Sequence, residues 1–248
     1  MTTKLWPGNP NWDQEPKTLE QTVACCEESV RKLGVQKVDL YLTHTPLGGG
    51  RECRLQQYRG LLEAQRRGLA TSIGVSNYGI QHLQEIEAAG LPLPAANQLE
   101  LHPMNQKAAL LAFMRGRRIL PIAYSSLAPL GTWRVGQQCS KTDEQRAAHG
   151  AAGADLGGGL GGRVGAVLGA VAERHGGRSE AQVLLRWALQ KGWPILPKSV
   201  SEGRAEANLQ LFGFELSDAD MAALDALETG ETFAFGAPGQ PLDPTKCD

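Results

Sequence analysis

Residues 72–103 read SIGVSNYGIQHLQEIEAAGLPLPAANQLELHP, and the reading of this stretch decides the fold. SIGVS, from Ser72, is a short apolar run bounded by turn formers, which predicts a buried strand. A helical pattern follows around Gln81 to Ala89, and a second run of strand formers, ANQLELH, begins at Ala96. Strand, helix and strand joined by short connections make a parallel βαβ unit. The polar residues gather where each strand stops, at Ser76-Asn77 and at Glu100 to His102.

The same alternation extends in both directions. Upstream, TLEQTVACCEESVRKL (Thr18 to Leu33) puts Leu19, Val23, Cys26, Val30 and Leu33 on one helical face, with a Thr18–Gln21 capping box and Gly34 as the stop. VDLYLTH (Val38 to His44) is a buried strand ended by Pro46 and Gly48-Gly49-Gly50, and a helix follows from Leu55 to Arg67. Downstream come a helix over Lys107 to Arg117, a strand ILPIAYS from Ile119, a long break, and a helix from Glu180 to Lys191. A strand PILPKS from Pro194, a helix over Glu202 to Phe212, and a last helix from Ser217 boxed by Asp220 complete the series. The opening MTTKLW reads as a strand entering a loop at Pro7-Gly8-Asn9-Pro10: either a short edge strand or part of a longer one.

Repeated βα units build either an open doubly wound sheet or a barrel, and the strand ends discriminate. Thr43-His44, Ser76-Asn77, Glu100 to His102, Tyr124-Ser125 and Lys198-Ser199 each put chemical groups where an apolar strand finishes. In a barrel such ends converge on one rim, where the active sites of that fold lie; an open sheet concentrates its ligands at one switch point. Neither G-x-G-x-x-G between a strand and a helix nor G-x-x-x-x-G-K-[ST] occurs. The expectation is an α/β fold of the (β/α)8 TIM-barrel type, a single domain over 1–248, with a flexible glycine-rich insertion over 136–162 and a C-terminal tail over 229–248. The run Gly157-Gly158-Gly159 with Gly161 and Gly162 suits an insertion better than a phosphate cradle.

Composition narrows the partners. A chain of 248 residues accommodates one α/β barrel of roughly 250 residues. Lys+Arg 25 against Asp+Glu 26 leaves a formal net charge of -1, without the basic excess that attracts nucleic acid or an acidic membrane surface. Cys25, Cys26, Cys53, Cys139 and Cys247 are odd in number and lack C-x-x-C spacing, so neither a disulfide framework nor a metal site is expected, and a reducing, cytoplasmic setting fits. No apolar run approaches the roughly 18 residues that cross a bilayer.

Taken singly, the strand-end residues also have plainer readings. A lone His44 or His102 is commonly a hydrogen-bonded structural residue. Ser76 and Asn77 are strong cap formers and read first as a cap on the next helix, and Tyr124 fits a core aromatic with its hydroxyl at the surface. Lys198, Ser199 and the nearby Arg204 are more pointed, because two cations and a hydroxyl together suit a phosphate group.

Together these blocks resemble one family. GVSNY (Gly74 to Tyr78), NQLELHP (Asn97 to Pro103), AYSSLAPLG (Ala123 to Gly131) and LPKSVSEGRAEANLQLF (Leu196 to Phe212) are similar, in order and in context, to the signature blocks of aldo-keto reductases. The resemblance implies a barrel that binds NADP(H) along its rim and reduces aldehydes or ketones to alcohols. Carried over by motif, Ser76, Asn77 and Gln98 hold the nicotinamide amide, Tyr124 stacks on its ring, and Ser125 and Leu127 line the pyrophosphate. Lys198, Ser199 and Arg204 take the adenosine 2'-phosphate and Asn208 the adenine edge. The family often has Glu just before that Asn, where this chain has Ala207.

The same resemblance gives MTTKLW a role. Such segments close the family's third strand with a catalytic Lys, here Lys4, and LTHTP closes the fourth with a His beside the carbonyl, here His44. The family's acid is a Tyr whose pKa is lowered by the neighbouring ammonium; that Tyr and an Asp paired to the Lys belong before the third strand. The chain is thus expected to lack the first two strands and two of four catalytic residues. The alternatives are a non-catalytic NADP-binding accessory or sensor protein and an inactive fragment of a reductase.

Overall fold

The computed structural model describes residues 1–130, 160–234, 236–237 and 240–247. Five strands form one sheet in sequence order: β1 (Thr2–Leu5), β2 (Val38–Thr43), β3 (Ala70–Ser76), β4 (Ala96–Glu100) and β5 (Leu120–Tyr124). β1 to β4 pair in parallel, with Lys4 opposite Leu42, Leu42 opposite Gly74, and Ser76 opposite Gln98. Helices α1 (Leu19–Leu33), α2 (Gly50–Arg66), α3 (Ile80–Ala88) and α4 (Ala108–Arg115) connect successive strands. This parallel βα succession is that of a (β/α)8-type fold; among the described residues the sheet runs from β1 to β5 without closing.

The chain divides into two compact units. The first comprises Met1–Leu99, Ala108–Pro121 and Asp243–Asp248, the second Glu100–Lys107 and Ile122–Leu242. In the first, Val23, Cys26 and Val30 of α1, Tyr41 and Leu42 of β2, Leu55, Tyr58 and Leu61 of α2, and Ile73 and Val75 of β3 form the core. The Thr18–Gln21 capping box is present, and Gly34 closes α1 at φ 66, in the left-handed region where glycine bears no Cβ penalty. The second unit holds α5 (Leu160–Arg174), α6 (Glu180–Gln190), α7 (Glu202–Ala207) and α8 (Asp218–Asp225). Its core gathers Val164, Leu168 and Val171 with Val183, Leu184, Trp187, Leu216 and Leu224. The Ser217–Asp220 box caps α8 as expected.

Four expectations change. Helix α2 starts at Gly50 rather than Leu55; its first turn, Gly50 to Arg54, carries no apolar stripe, and its buried member is the polar Arg54. The glycine-rich segment does not stay a loop to residue 162: Leu160 to Gly162 already belong to α5, whose Val164, Leu168, Val171 and Ala172 form an apolar stripe at helical spacing; residues 136–159 lie outside the described residues. PILPKS forms no strand. Ile195 makes a single parallel bridge to Ala123, flanked by Pro194 and Pro197, which have no N–H for a ladder. Helix α7 stops at Ala207 instead of Phe212, where the Gln182 amide donates to the carbonyls of Ala207 and Gln210.

Candidate active site

Lys4 and His44 come together through strand register. Leu5 lies opposite Thr43, and the ladder ends with the His44 N–H donating to the Leu5 carbonyl at 2.9 Å. Burial lowers the Lys4 ammonium from 10.5 to about 8. Burial, and then the Lys4 charge, lower the His44 imidazole from 6.5 to about 4, so it is neutral near pH 7. An ammonium of loosened proton thus stands beside a neutral imidazole.

A small aromatic wall flanks this pair. The Trp6 ring meets His44 edge-on at 5.7 Å and stacks on Trp12 at 5.5 Å. Trp6 Nε1 donates to Gln14 Oε1 at 2.6 Å, and the intervening turn is set by Asn9 Oδ1, which accepts from the Asn11 N–H, and by Asp13 at φ 53. Trp12 remains 60% exposed. Sequence reasoning missed this wall, and the tryptophan doublet six residues apart was its only trace.

Ser76 and Asn77 do not cap α3, contrary to the first reading. The N-cap is Gly79, whose N–H donates to His82 Nδ1 at 3.0 Å. Ser76 Oγ instead donates to the Gln98 carbonyl at 2.9 Å, and the Asn77 amide donates to Ser76 Oγ at 3.2 Å and to the His44 carbonyl at 3.1 Å. Asn77 sits at φ 65, a conformation Asn tolerates better than most residues. Gln98 is 2% exposed and lies opposite Ser76 in the register of β3 and β4. The side-chain amides of Asn77 and Gln98 are of the chemical type that pairs with another primary amide, such as a nicotinamide carboxamide.

In the second unit, Tyr124 ends β5, and Ser125 at φ 53 turns the chain into a short 3-10 segment (Ala128–Leu130) through an Ala128 N–H bond to its carbonyl. Leu127 is half-buried and Asn208 buried. Lys198 and Arg204 are exposed and make no ion pair among the described residues, which fits a phosphate dianion. The Ser199 hydroxyl is already engaged, donating to the Ser201 carbonyl at 2.9 Å and accepting from the Ser201 N–H. His102 is a buried partner of Glu100 at 3.2 Å. Glu100 also accepts from the Thr232 hydroxyl and from the N–H groups of Phe233 and Ala234, an anchoring role that no sequence pattern signalled.

The model of the aldo/keto reductase family matches residues 1–229. An aldo-keto reductase of Mycolicibacterium smegmatis is 36% identical over 210 residues, covering 85% of this chain and 63% of the relative. Morphine 6-dehydrogenase of Pseudomonas putida is 36% identical over 230 residues, covering 93% and 69%. The crystal structure of a Bombyx mori aldo-keto reductase in complex with NADP superposes with a TM-score of 0.70 at 28% identity, covering 93% of this chain and 68% of that one. The chain belongs to the aldo/keto reductase family. It spans 63% and 69% of the lengths of the two curated relatives.

Proposed function

We propose that this protein reduces an aldehyde or ketone with NADP(H). Ser76, Asn77 and Gln98 receive the nicotinamide amide, Tyr124 the ring face, Ser125 and Leu127 the pyrophosphate, Lys198, Ser199 and Arg204 the 2'-phosphate, and Asn208 the adenine. The observation that carries the reading is the pairing of Lys4 with a neutral His44, joined to Asn77 through the His44 carbonyl. Family membership and the NADP complex of the Bombyx mori relative support it.

When bound, NADPH supplies a hydride to the carbonyl carbon. The chain's own task is then at the oxygen, where charge develops. A neutral His44 offers an N–H to that oxygen and fixes its direction, and the Lys4 ammonium adds a positive charge and a transferable proton titrating near neutrality. Burial pushes the hydroxyls of Tyr41, Tyr58 and Tyr78 up, away from the range of a useful acid, so none of these three suits proton donation. The four described cysteines are free thiols, which suits a reducing cytoplasm, and among the described residues no helix is long and apolar enough to cross a membrane.

Fluorescence titration with NADPH and NADH, followed by NADPH oxidation with 4-nitrobenzaldehyde, tests the proposal. Tighter binding of NADPH and aldehyde-dependent oxidation are expected. Equal affinity for the two nucleotides, or oxidation indifferent to aldehyde, would overturn it.

A further inference from the structure

Beyond the Leu5–His44 hydrogen bond the ladder between β1 and β2 is finished, yet the loops that follow stay together. Gln57, on α2, lies between them, completely buried. Its Nε2 donates to the Pro7 carbonyl at 3.1 Å and to the Gly48 carbonyl at 3.2 Å. Pro7 is three residues past Lys4 and Gly48 four past His44, so one amide nitrogen bridges the two loops that carry the candidate catalytic pair. The loops touch closely there: a Cβ added to Gly48 would lie 2.8 Å from the Pro7 Cβ and 2.9 Å from both polar atoms of the Gln57 amide. Only a side chain absent at position 48 lets this approach occur.

The chemistry selects glutamine. Bridging two carbonyls takes two N–H donors on one nitrogen without a charge to desolvate, which a primary amide supplies and a carboxylate, a hydroxyl or an aliphatic chain does not. In a dry interior such bonds are strong and their loss costly. The Gln57 Oε1 is buried and accepts no hydrogen bond, so the residue is retained at the expense of an unsatisfied acceptor. A helix needing only a tether to its loop would fill this site better with an apolar side chain.

We propose that Gln57 is a positioning residue that sets the separation of Lys4 and His44 by clasping the loops after β1 and β2. The inference rests on the reading of Lys4 and His44 as the catalytic pair. Below the pair the strand ladder fixes the backbone; above it the Gln57 bridge does, and the Trp6 ring edge is held on His44 between them. The groups facing the imidazole are Lys4 and Trp6, with Asn77 on its carbonyl.

The test combines an imidazole titration with kinetics on the 248-residue chain. The His44 resonance is assigned by its absence in His44→Gln, and its pH midpoint is followed in wild type, Gln57→Leu and Gly48→Ala, the last displacing the loop without altering Gln57. Both variants are expected to move the His44 midpoint upward from about 4 toward 6.5. They should also lower kcat with 4-nitrobenzaldehyde by about 10- to 100-fold while the KM for NADPH stays constant. An unchanged midpoint and unchanged kcat with only a lower Tm, or loss of the fold in both variants, assigns Gln57 a structural role and overturns the proposal. The functional reading fails separately: if His44→Gln leaves kcat untouched while Gln57→Leu still moves the His44 midpoint, the clasp stands and the catalytic assignment falls.

Discussion

The candidate residues of the two units are held in opposite ways. In the first, Lys4 and His44 are half-buried on paired strands, Ser76 and Asn77 are buried and bonded to backbone carbonyls, and Gln57 ties the flanking loops. In the second, Lys198 and Arg204 are exposed, and α7 is only six residues long. A reacting centre loses rate when its groups wander, so its geometry is fixed in advance. A phosphate needs only nearby positive charge, which flexible side chains provide on contact. The contrast predicts that changes in the first unit act on turnover or stability and changes at Lys198 and Arg204 act on affinity.

The largest effect expected is at His44. His44→Gln keeps a polar side chain of similar reach but loses the imidazole geometry, and should lower kcat by about 10²- to 10⁴-fold. At pH 7 NADPH affinity and Tm should hardly change, as measured by fluorescence titration and calorimetry. A variant that melts early yet keeps its specific activity would show that the tightly held end is scaffold and erase the contrast.

Next in size is the buried ion pair of Arg54 with Glu85, at 2.9 and 2.7 Å, which braces α2 against α3 beneath the His44 loop. Arg54→Met leaves Glu85 almost buried without its partner and should destabilise the chain by about 3–5 kcal/mol. Arg117→Met, which breaks the more exposed pair with Glu87, should cost about 1 kcal/mol or less. Equal midpoints for the two variants in urea would mean that burial does not separate these interactions.

These same polar contacts explain what the sequence concealed. The stripe Leu19, Val23, Cys26, Val30 announced α1 because its buried face is apolar. Arg54 hid the start of α2, and the role of Gln57 stayed hidden, because their partners are a carboxylate 31 residues away and two loop carbonyls, which leave no periodic trace. Ser76-Asn77 was legible as a polar pair, but the cap reading fell only once Gly79 was seen to take the cap. Lys4 and His44, 40 positions apart, were picked out by resemblance, and it is strand register that makes them neighbours. PILPKS carried strand-forming letters, and its two prolines, visible in the sequence, were the physical reason it did not pair.

At the exposed end, Lys198→Met should weaken NADPH by roughly 10- to 150-fold, the equivalent of the 1.5–3 kcal/mol a charged hydrogen bond contributes, with NADH unaffected. Added salt should imitate the substitution, since salt weakens contacts between exposed charges far more than contacts at buried groups. A parallel loss for both nucleotides would remove the phosphate assignment and with it the functional side of the contrast.

The smallest effect concerns pH and returns to His44. Its folded pKa, about 4, lies below the ordinary 6.5, so the folded state prefers the neutral ring. Above pH 6.5 both folded and unfolded chains hold His44 neutral, and it contributes its full share of stability. As the pH falls from 6.5 toward 4 the unfolded chain takes up a proton that the folded chain refuses, and stability drops across that window. Solvent contact at the half-buried ring reduces the loss to on the order of 1 kcal/mol, or about 2–4 °C in Tm. Lys4 has the same sign at higher pH: its folded value near 8 makes stability rise between 8 and 10.5. Calorimetry of wild type and His44→Gln from pH 4 to 7 isolates the first term, because Gln does not titrate. The two Tm curves should diverge below pH 6.5 with wild type falling faster; curves that stay parallel would show that the imidazole is hydrated, and that the first unit is no more preorganised than the second.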